Sequence, residues 1–243
     1  MASIFIDRRI AHCILFTWPS LRLHDQILTL IGSSESSYST FYDSPEDAVY
    51  QEALQTGEAK TIRYILYKRK YLSFMYGDMD TAAELFEMGC RCPKGASYGR
   101  LSHITISVII DGLIAFFFAR KHQEDEKRWQ NIGEAVIDLT RQWTNNSEWN
   151  FSNKLYLLEA ENYFFKEDEI KALEKYEQSI KAAHDHHFIH EEGLAFERAA
   201  RFHLHYGRNG EALVCFTQAK KCYKNWGAHG LVINIERTIL KLI

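Results

Sequence analysis

The sequence predicts an all-α protein, a superhelical stack of antiparallel helix pairs that ends in a C-terminal capping helix. Three observations predict this class. Only three prolines occur, Pro19, Pro45 and Pro93, so long segments run without a helix breaker. Two stretches near the C-terminus match each other at an offset of 40 residues, as from Ala160 to Ala200. Apolar residues within each stretch recur at spacings of three and four, the period of a helix face.

The composition is that of a soluble globular protein without an electrostatic surface for nucleic acid. Of 243 residues, 46% are hydrophobic and 25% are charged, and the net charge is −3. A chain of this length buries a core without help from metals or disulfides. Its five cysteines are an odd number, which favours reduced thiols and a cytoplasmic location.

Residues 1–44 are interpreted as an amphipathic segment and a polar loop, a candidate remnant of a preceding repeat. The apolar run "IAHCILFTW" resembles a signal peptide, but it lacks a small-residue cleavage site and is followed by Pro19 and Arg22. We therefore expect no secretion and no membrane partner. A membrane-associated sensor held by its first twenty residues stays as an alternative.

The region 45–243 is predicted to be the repeat domain. Its first helix has strong onset signals, because Ser44 can cap it, Pro45 suits the first position and Asp47 favours the exposed amides. Gly57 should end it. Helix pairs are expected at about 59–91 and 100–143, with Ala135 and Leu139 in packing positions of the second pair. The apolar run 104–118 is shorter than the ~20 residues of a membrane span.

The last two pairs are predicted at about 151–187 and 190–226, followed by a cap at 228–243. The turn "YGRNGEA" contains two glycines, Gly207 and Gly210, which we expect to supply positive φ values. Small residues are expected where two helix axes approach closely, each facing an aromatic side chain. A bulky residue at Ala200 or Ala212 should therefore cost about 1–3 kcal/mol. The expected repeat-packing residues are Ala160, Ala172, Tyr176, Ala200, Gly207, Ala212, Phe216, Ala219 and Trp226.

This spacing resembles the tetratricopeptide (TPR) repeat. Ala200, Ala212, Phe216 and Ala219 match its four main positions, and Ala160, Ala172, Tyr176 and Ser179 nearly match them. The usual closing proline is missing and the repeat is nearer 40 than about 34 residues long, which indicates the longer MalT-like subclass. The resemblance implies a stack whose surface binds peptides or neighbouring domains.

Longer strings, among them "FIHEEGLAFERAARFHLHYGR" and "KYLSFMYGDMDTAAEL", resemble the helical-repeat region of very large multi-sensor signalling proteins. Those proteins join a kinase-like domain, an AAA-type ATPase, the repeats, a GAF sensor and a histidine kinase. The resemblance implies a link between such modules in signal transduction. No phosphate-binding loop or kinase catalytic loop occurs in the sequence, so we expect no enzyme activity, no catalytic residue and no cofactor.

The stretch "HDHHFIHEE", residues 184–192, is the strongest candidate for chemistry. Histidines near a helix C-terminus and carboxylates at the next N-terminus both suit the helix dipole, so a joint between two helices is the expected structure. The alternative is a metal-dependent enzyme that uses His184, His187 and His190. The spacing fails the HExxH pattern, because Leu194 stands where the second histidine would be.

The remaining candidates are thiols and surface side chains. Cys90 and Cys92 form a single CxC without the second pair that a zinc site needs, and Cys215 and Cys222 share a helix face as small buried residues. We expect a non-enzymatic scaffold for a protein partner or neighbouring signalling domains. Aromatic and arginine side chains exposed on the first helix of a pair are its default contact residues. The sequence does not determine the oligomeric state.

Overall fold

The computed structural model describes residues 45–92, 102–121 and 124–242. The prediction of an all-α class is confirmed for this part of the chain, which contains ten helices and no strand. The predictions for residues 1–44, including the Ser44 cap and the membrane anchor, lie outside the described residues. Among the described helices, none combines the length and apolar character that a membrane crossing requires.

Short links join most of the helices into antiparallel neighbours. The helices are α1 (Pro45–Thr56), α2 (Ala59–Met75), α3 (Met79–Arg91), α4 (Ser102–Lys121), α5 (Glu126–Asn146), α6 (Glu148–Phe165), α7 (Glu169–Asp185), α8 (Ile189–His205), α9 (Asn209–Trp226) and α10 (His229–Ile239). The predicted pair at 151–187 therefore begins three residues early, and the last helix is shorter than the predicted cap.

Six of the described links, though not the one at Ser147 between α5 and α6, share one backbone feature, a single residue in the left-handed conformation. After α8, the amide of Gly207 donates to the carbonyl of Leu204 (3.0 Å) and the amide of Arg208 to that of His203 (2.9 Å). Such a pair of bonds closes a helix and turns the chain back. Gly207 has a φ of 70°. Gly210 does not, since it lies in the first turn of α9, so the prediction of positive φ at both glycines is wrong.

From α6 onward, these left-handed residues recur at a fixed interval. They fall at Glu167, His187, Gly207 and Gly227, one every twenty residues, so one helix and its link take twenty residues and a pair takes forty. The two non-glycine residues adopt φ values of 57° and 60°, which L side chains rarely do. The 40-residue offset in the sequence therefore corresponds to two such turns.

Contacts divide the chain into two compact units, one up to Ile110 and one from Asp111 onward. In the first unit α2 packs against α1 and α3. Its apolar core contains Tyr50, Ile62, Ile65 and Leu85, among others. Three consecutive basic residues of α2 are buried beside it. Among them Arg69 donates to Asp47 of α1 at 2.7 Å, so Asp47 serves an interhelical ion pair.

In the second unit, α6 packs against α5 and α7, α8 against α7 and α9, and α9 against α10. The expected packing alanines are fully buried, with 0% of their surface exposed; they are Ala160, Ala172, Ala200, Ala212 and Ala219. The aromatic side chains expected beside them, Tyr176, Phe216 and Trp226, are also buried. Gly207 lies in an exposed link.

On α5 the buried face is shifted from the expected one. Ala135 is exposed and Leu139 is 36% exposed, whereas Val136, Ile137 and Thr140 are buried. The reason is Gly133, over which the ring of Phe116 lies so closely that a Cβ there would be 2.6 Å from it. The buried face of α5 therefore lies one residue further along the chain than the comparison of repeats in the sequence predicts.

Candidate functional site

The histidine-rich stretch forms the joint between α7 and α8. His184 lies in the last turn of α7, His186 to Phe188 form the link, and His190 to Glu192 lie in the first turn of α8. His187 occupies the left-handed position of the link. Local helix signals thus account for the placement of each residue.

The histidine side chains at this joint have separate partners. Nδ1 of His184 lies 3.1 Å from the Oε1 of Glu192. The ring of His190 stacks on Trp226 with 5.2 Å between the ring centroids, and its Nε2 lies 3.5 Å from Glu191. Within the described residues, no three histidine, cysteine, aspartate or glutamate side chains are arranged to hold a metal ion.

Glu191 ties this joint to α6. Its Oε2 accepts hydrogen bonds from the Nζ of Lys154 and the Nδ2 of Asn153, both at 2.6 Å. Burial alone would raise the pKa of Glu191, but the charge of Lys154 and the hydrogen bond from His190 hold it well below its usual range. The carboxylate is therefore an interhelical anchor between α6 and α8.

A second buried carboxylate, Glu161, lies at the centre of the second unit. Its Oε1 accepts from the Nε of Arg198 (2.7 Å) and the hydroxyl of Tyr176 (2.9 Å), and its Oε2 accepts from Arg198 and Arg120. Burial would raise its pKa, but the two guanidinium groups outweigh burial and lower the pKa to about 2. Strongly perturbed groups are often functional. Here both carboxylate oxygens are occupied, which is typical of a structural ion cluster joining α4, α6, α7 and α8.

Three of the described cysteines, Cys92, Cys215 and Cys222, do not have the environment of reactive thiols, whereas Cys90 is exposed. Burial raises the pKa of the Cys222 thiol to about 12 and also raises those of Cys215 and Cys92. Nucleophilic cysteines instead need a lowered pKa. Cys222 is buried, while Cys215 is half-buried.

Beside the histidine joint, α6 and α7 border an open groove of about 680 Å³. Its floor is the N-terminal half of α6, and its wall is the C-terminal half of α7. Aromatic, charged and small side chains all contribute to it. The lining residues are Glu148, Trp149, Ser152, Tyr156, Gln178, Lys181, Ala182, Asp185 and His186.

Trp149 is the prominent side chain of this groove. It is 57% exposed, although tryptophan is usually well buried. Its indole stacks on the imidazole of His186, with ring centroids 4.0 Å apart and planes at 22°. The Nδ1 of His186 is buried without a hydrogen-bond partner in the described part of the chain. One face of the indole is thus held in place while much of the ring stays open to solvent.

The charges of the groove are two carboxylates and one ammonium group. Asp185 and Lys181 form an ion pair at 2.5 Å, and the hydrogen bond from Lys181 lowers the pKa of Asp185. Glu148 lies in the first turn of α6 and forms no hydrogen bond or ion pair among the described residues. Two negative charges against one positive charge leave the lining with a net charge of −1.

Sequence reasoning did not single out this groove. Trp149 does belong to the class of exposed aromatic side chains on the first helix of a pair. However, nothing in "SEWNFS" distinguishes a tryptophan that faces solvent from one that faces the core. The pairing with His186, 37 positions further along the chain, required the folded structure.

Comparisons of the chain with protein-family models, with curated proteins and with solved structures find no match.

Proposed function

We propose that the chain is a non-enzymatic protein-interaction module, a TPR-like stack of helix pairs in which the groove between α6 and α7 receives part of a protein partner. The observation that carries this proposal is Trp149, a tryptophan 57% exposed beside a groove of about 680 Å³. Tryptophan is among the residues that contribute most to binding at protein interfaces.

The tight packing of α6 against α7 supports a role for this groove in binding a partner. The floor and wall belong to helices that pack tightly on each other, with Ala160, Ala172 and Tyr176 fully buried between them. The bond from the Ser179 hydroxyl to the carbonyl of Asn153, at 2.7 Å, also joins α6 to α7. A binding surface that is ordered before the partner arrives loses little conformational entropy on binding.

The wider role follows from the resemblance to multi-sensor signalling proteins. In that role the module works in the cytoplasm and couples an ATPase or kinase-like module to a downstream sensor. The buried ion cluster around Glu161 supports a structural rather than a catalytic use of the charged residues, because both carboxylate oxygens are engaged by Arg198, Arg120 and Tyr176.

Selection of peptides from a displayed random library tests the proposal. The full chain is the bait, and the Trp149→Ala variant is used for counter-selection. Ile170→Ala is the matched control, since Ile170 is 83% exposed on α7 away from the groove lining. We expect peptides with a shared motif that bind the wild type and the control, and bind Trp149→Ala at least about fivefold more weakly. Selection without a shared motif, or equal binding to all three proteins, would contradict the proposal.

A further inference from the structure

The outer face of α6 carries a row of three aromatic rings, Trp149, Tyr156 and Tyr163, which we name the aromatic row. Each is seven residues from the next, or nearly two helix turns, so the three lie along one face of α6. Trp149 and Tyr156 line the groove, and Tyr163 continues the line beyond it.

Lysines of α7 cover two of these three rings. The Nζ of Lys171 lies 5.4 Å from the ring centre of Tyr163, and the Nζ of Lys175 lies 4.9 Å from that of Tyr156. An ammonium group over an aromatic face is attracted by the ring quadrupole. The two helices therefore place cations along this row from within the chain.

The third ring, Trp149, has no such lysine among the described residues. Where α7 passes the groove beyond Lys175, it presents Gln178 and Ala182 instead. Lys181 also borders the groove, but within the described residues its ammonium group does not lie over the indole. All three lysines pair with carboxylates, Lys171 with Asp168, Lys175 with Glu159 and Lys181 with Asp185, so position over a ring distinguishes them. Indole is the aromatic ring that attracts cations most strongly. Within the described residues, Trp149 is therefore the ring of the row over which the chain places no lysine, although the imidazole of His186 stacks on it.

The charges at this position also favour a cation. Glu148 precedes Trp149 directly and has no partner in the described part of the chain, whereas Asp185 and Lys181 neutralise each other. An acidic partner would meet Lys181, whose charge Asp185 already neutralises. A basic partner would instead gain both the indole and an unpaired carboxylate.

From this pattern we infer that the groove receives a cationic side chain, an arginine or lysine of a partner peptide, over Trp149 and beside Glu148. The inference rests on the proposed function, which makes the partner a protein, and it adds that the residue bound over Trp149 is basic. An arginine should bind more tightly than a lysine, because its planar guanidinium group stacks on the indole and donates two hydrogen bonds to one carboxylate.

A small probe tests the inference without the natural partner. The probe is the capped tripeptide Gly-Arg-Gly, and its control has citrulline in place of arginine, which keeps the shape and removes the charge. Binding is followed by NMR through the indole N–H signals of the five tryptophans, and Trp149→Phe identifies the signal of Trp149. We expect the arginine probe to shift that signal with a millimolar dissociation constant, and citrulline to bind about tenfold more weakly.

Two variants test whether the arginine probe binds at Trp149 and Glu148. Gln178→Lys places a lysine of α7 in the same groove as Trp149, so its ammonium group should compete with the probe for the indole and weaken probe binding about tenfold. Glu148→Gln should weaken it several-fold and reduce its dependence on salt. Ile170→Ala should leave binding unchanged. Unchanged far-UV circular dichroism and thermal melting show that each variant is folded.

An unmoved Trp149 signal, equal shifts with citrulline, or full binding by Gln178→Lys would overturn the inference. The peptide selection separates this failure from failure of the proposed function. A motif that depends on Trp149 but contains no basic residue would leave the docking proposal standing and refute the cation site.

Discussion

Glu161→Gln should lower the free energy of unfolding by about 3–5 kcal/mol, because it removes the charge that two buried or half-buried arginines share. The carboxylate is 0% exposed, and the Arg198 side chain is 6% exposed. In the variant, the amide NH₂ group faces guanidinium donors and cannot accept their hydrogen bonds. Arg198 then remains buried without its counter-ion.

The pKa of Glu161 gives a second way to calculate how much its charge contributes to the free energy of unfolding. Its folded value of about 2 lies below the ordinary value of 4.5, so the ionised form is favoured in the folded state. A shift of that size corresponds to about 3 kcal/mol of stability at pH 7. Since the folded pKa is depressed, this contribution is complete above about pH 4.5 and is lost as the pH falls toward 2.

Urea denaturation followed by far-UV circular dichroism measures both effects. The wild type and Glu161→Gln are compared at pH 7 and in steps to about pH 3, and their difference in stability should narrow as the pH falls below about 4.5. Asp138→Asn is the matched control, because it removes the same charge from a side chain 71% exposed that pairs only across a helix turn with Arg141. It should cost less than about 1 kcal/mol.

The reasoning would be refuted if Glu161→Gln cost no more than the Asp138→Asn control at pH 7. It would also be refuted if the stability difference between the wild type and Glu161→Gln were the same at pH 7 and near pH 3. The first result would mean that the ion cluster makes no net contribution to stability, and the second would mean that folding does not lower the pKa of Glu161.

Three further predictions concern the joint and the helix packing. His187→Gly should raise the free energy of unfolding by about 0.5–1 kcal/mol, since the left-handed backbone suits glycine; a lower melting temperature would contradict this. Gly193→Ala should lower the free energy of unfolding by about 1–3 kcal/mol, because its Cβ would lie 2.8 Å from the ring of the buried Tyr223. Gly210→Ala is the control, because a Cβ there meets open space, and it should be neutral or stabilising in the same denaturation assay. Purified protein and a His184→Ala/His187→Ala variant should both lack bound zinc by elemental analysis, and an equimolar amount that the substitutions remove would restore the metal-site alternative.

Local signals predict much of the fold. The turns at Gly57 and Gly207, the helix N-terminus at Pro45 and the alanine positions of α6 to α9 depend on neighbours within one or two turns, so local sequence indicates them. The left-handed residues Glu167 and His187 were not predicted, because neither is a glycine. Prediction failed at Gly210, whose helical position depends on where α9 begins. It failed again at Ala135 and Leu139, because the Phe116 ring over Gly133 sets the rotation of α5.

The sequence by itself determined that the last two helix pairs, α6 to α9, repeat every forty residues, since side-chain spacing and turn residues act over short distances. Only the tertiary structure decided what the polar residues do. The histidines at 184–190 face different partners, Glu161 meets arginines from two other helices, and Trp149 stays exposed beside His186. Each of these depends on which helix faces are brought together, and short-range spacing does not carry that information.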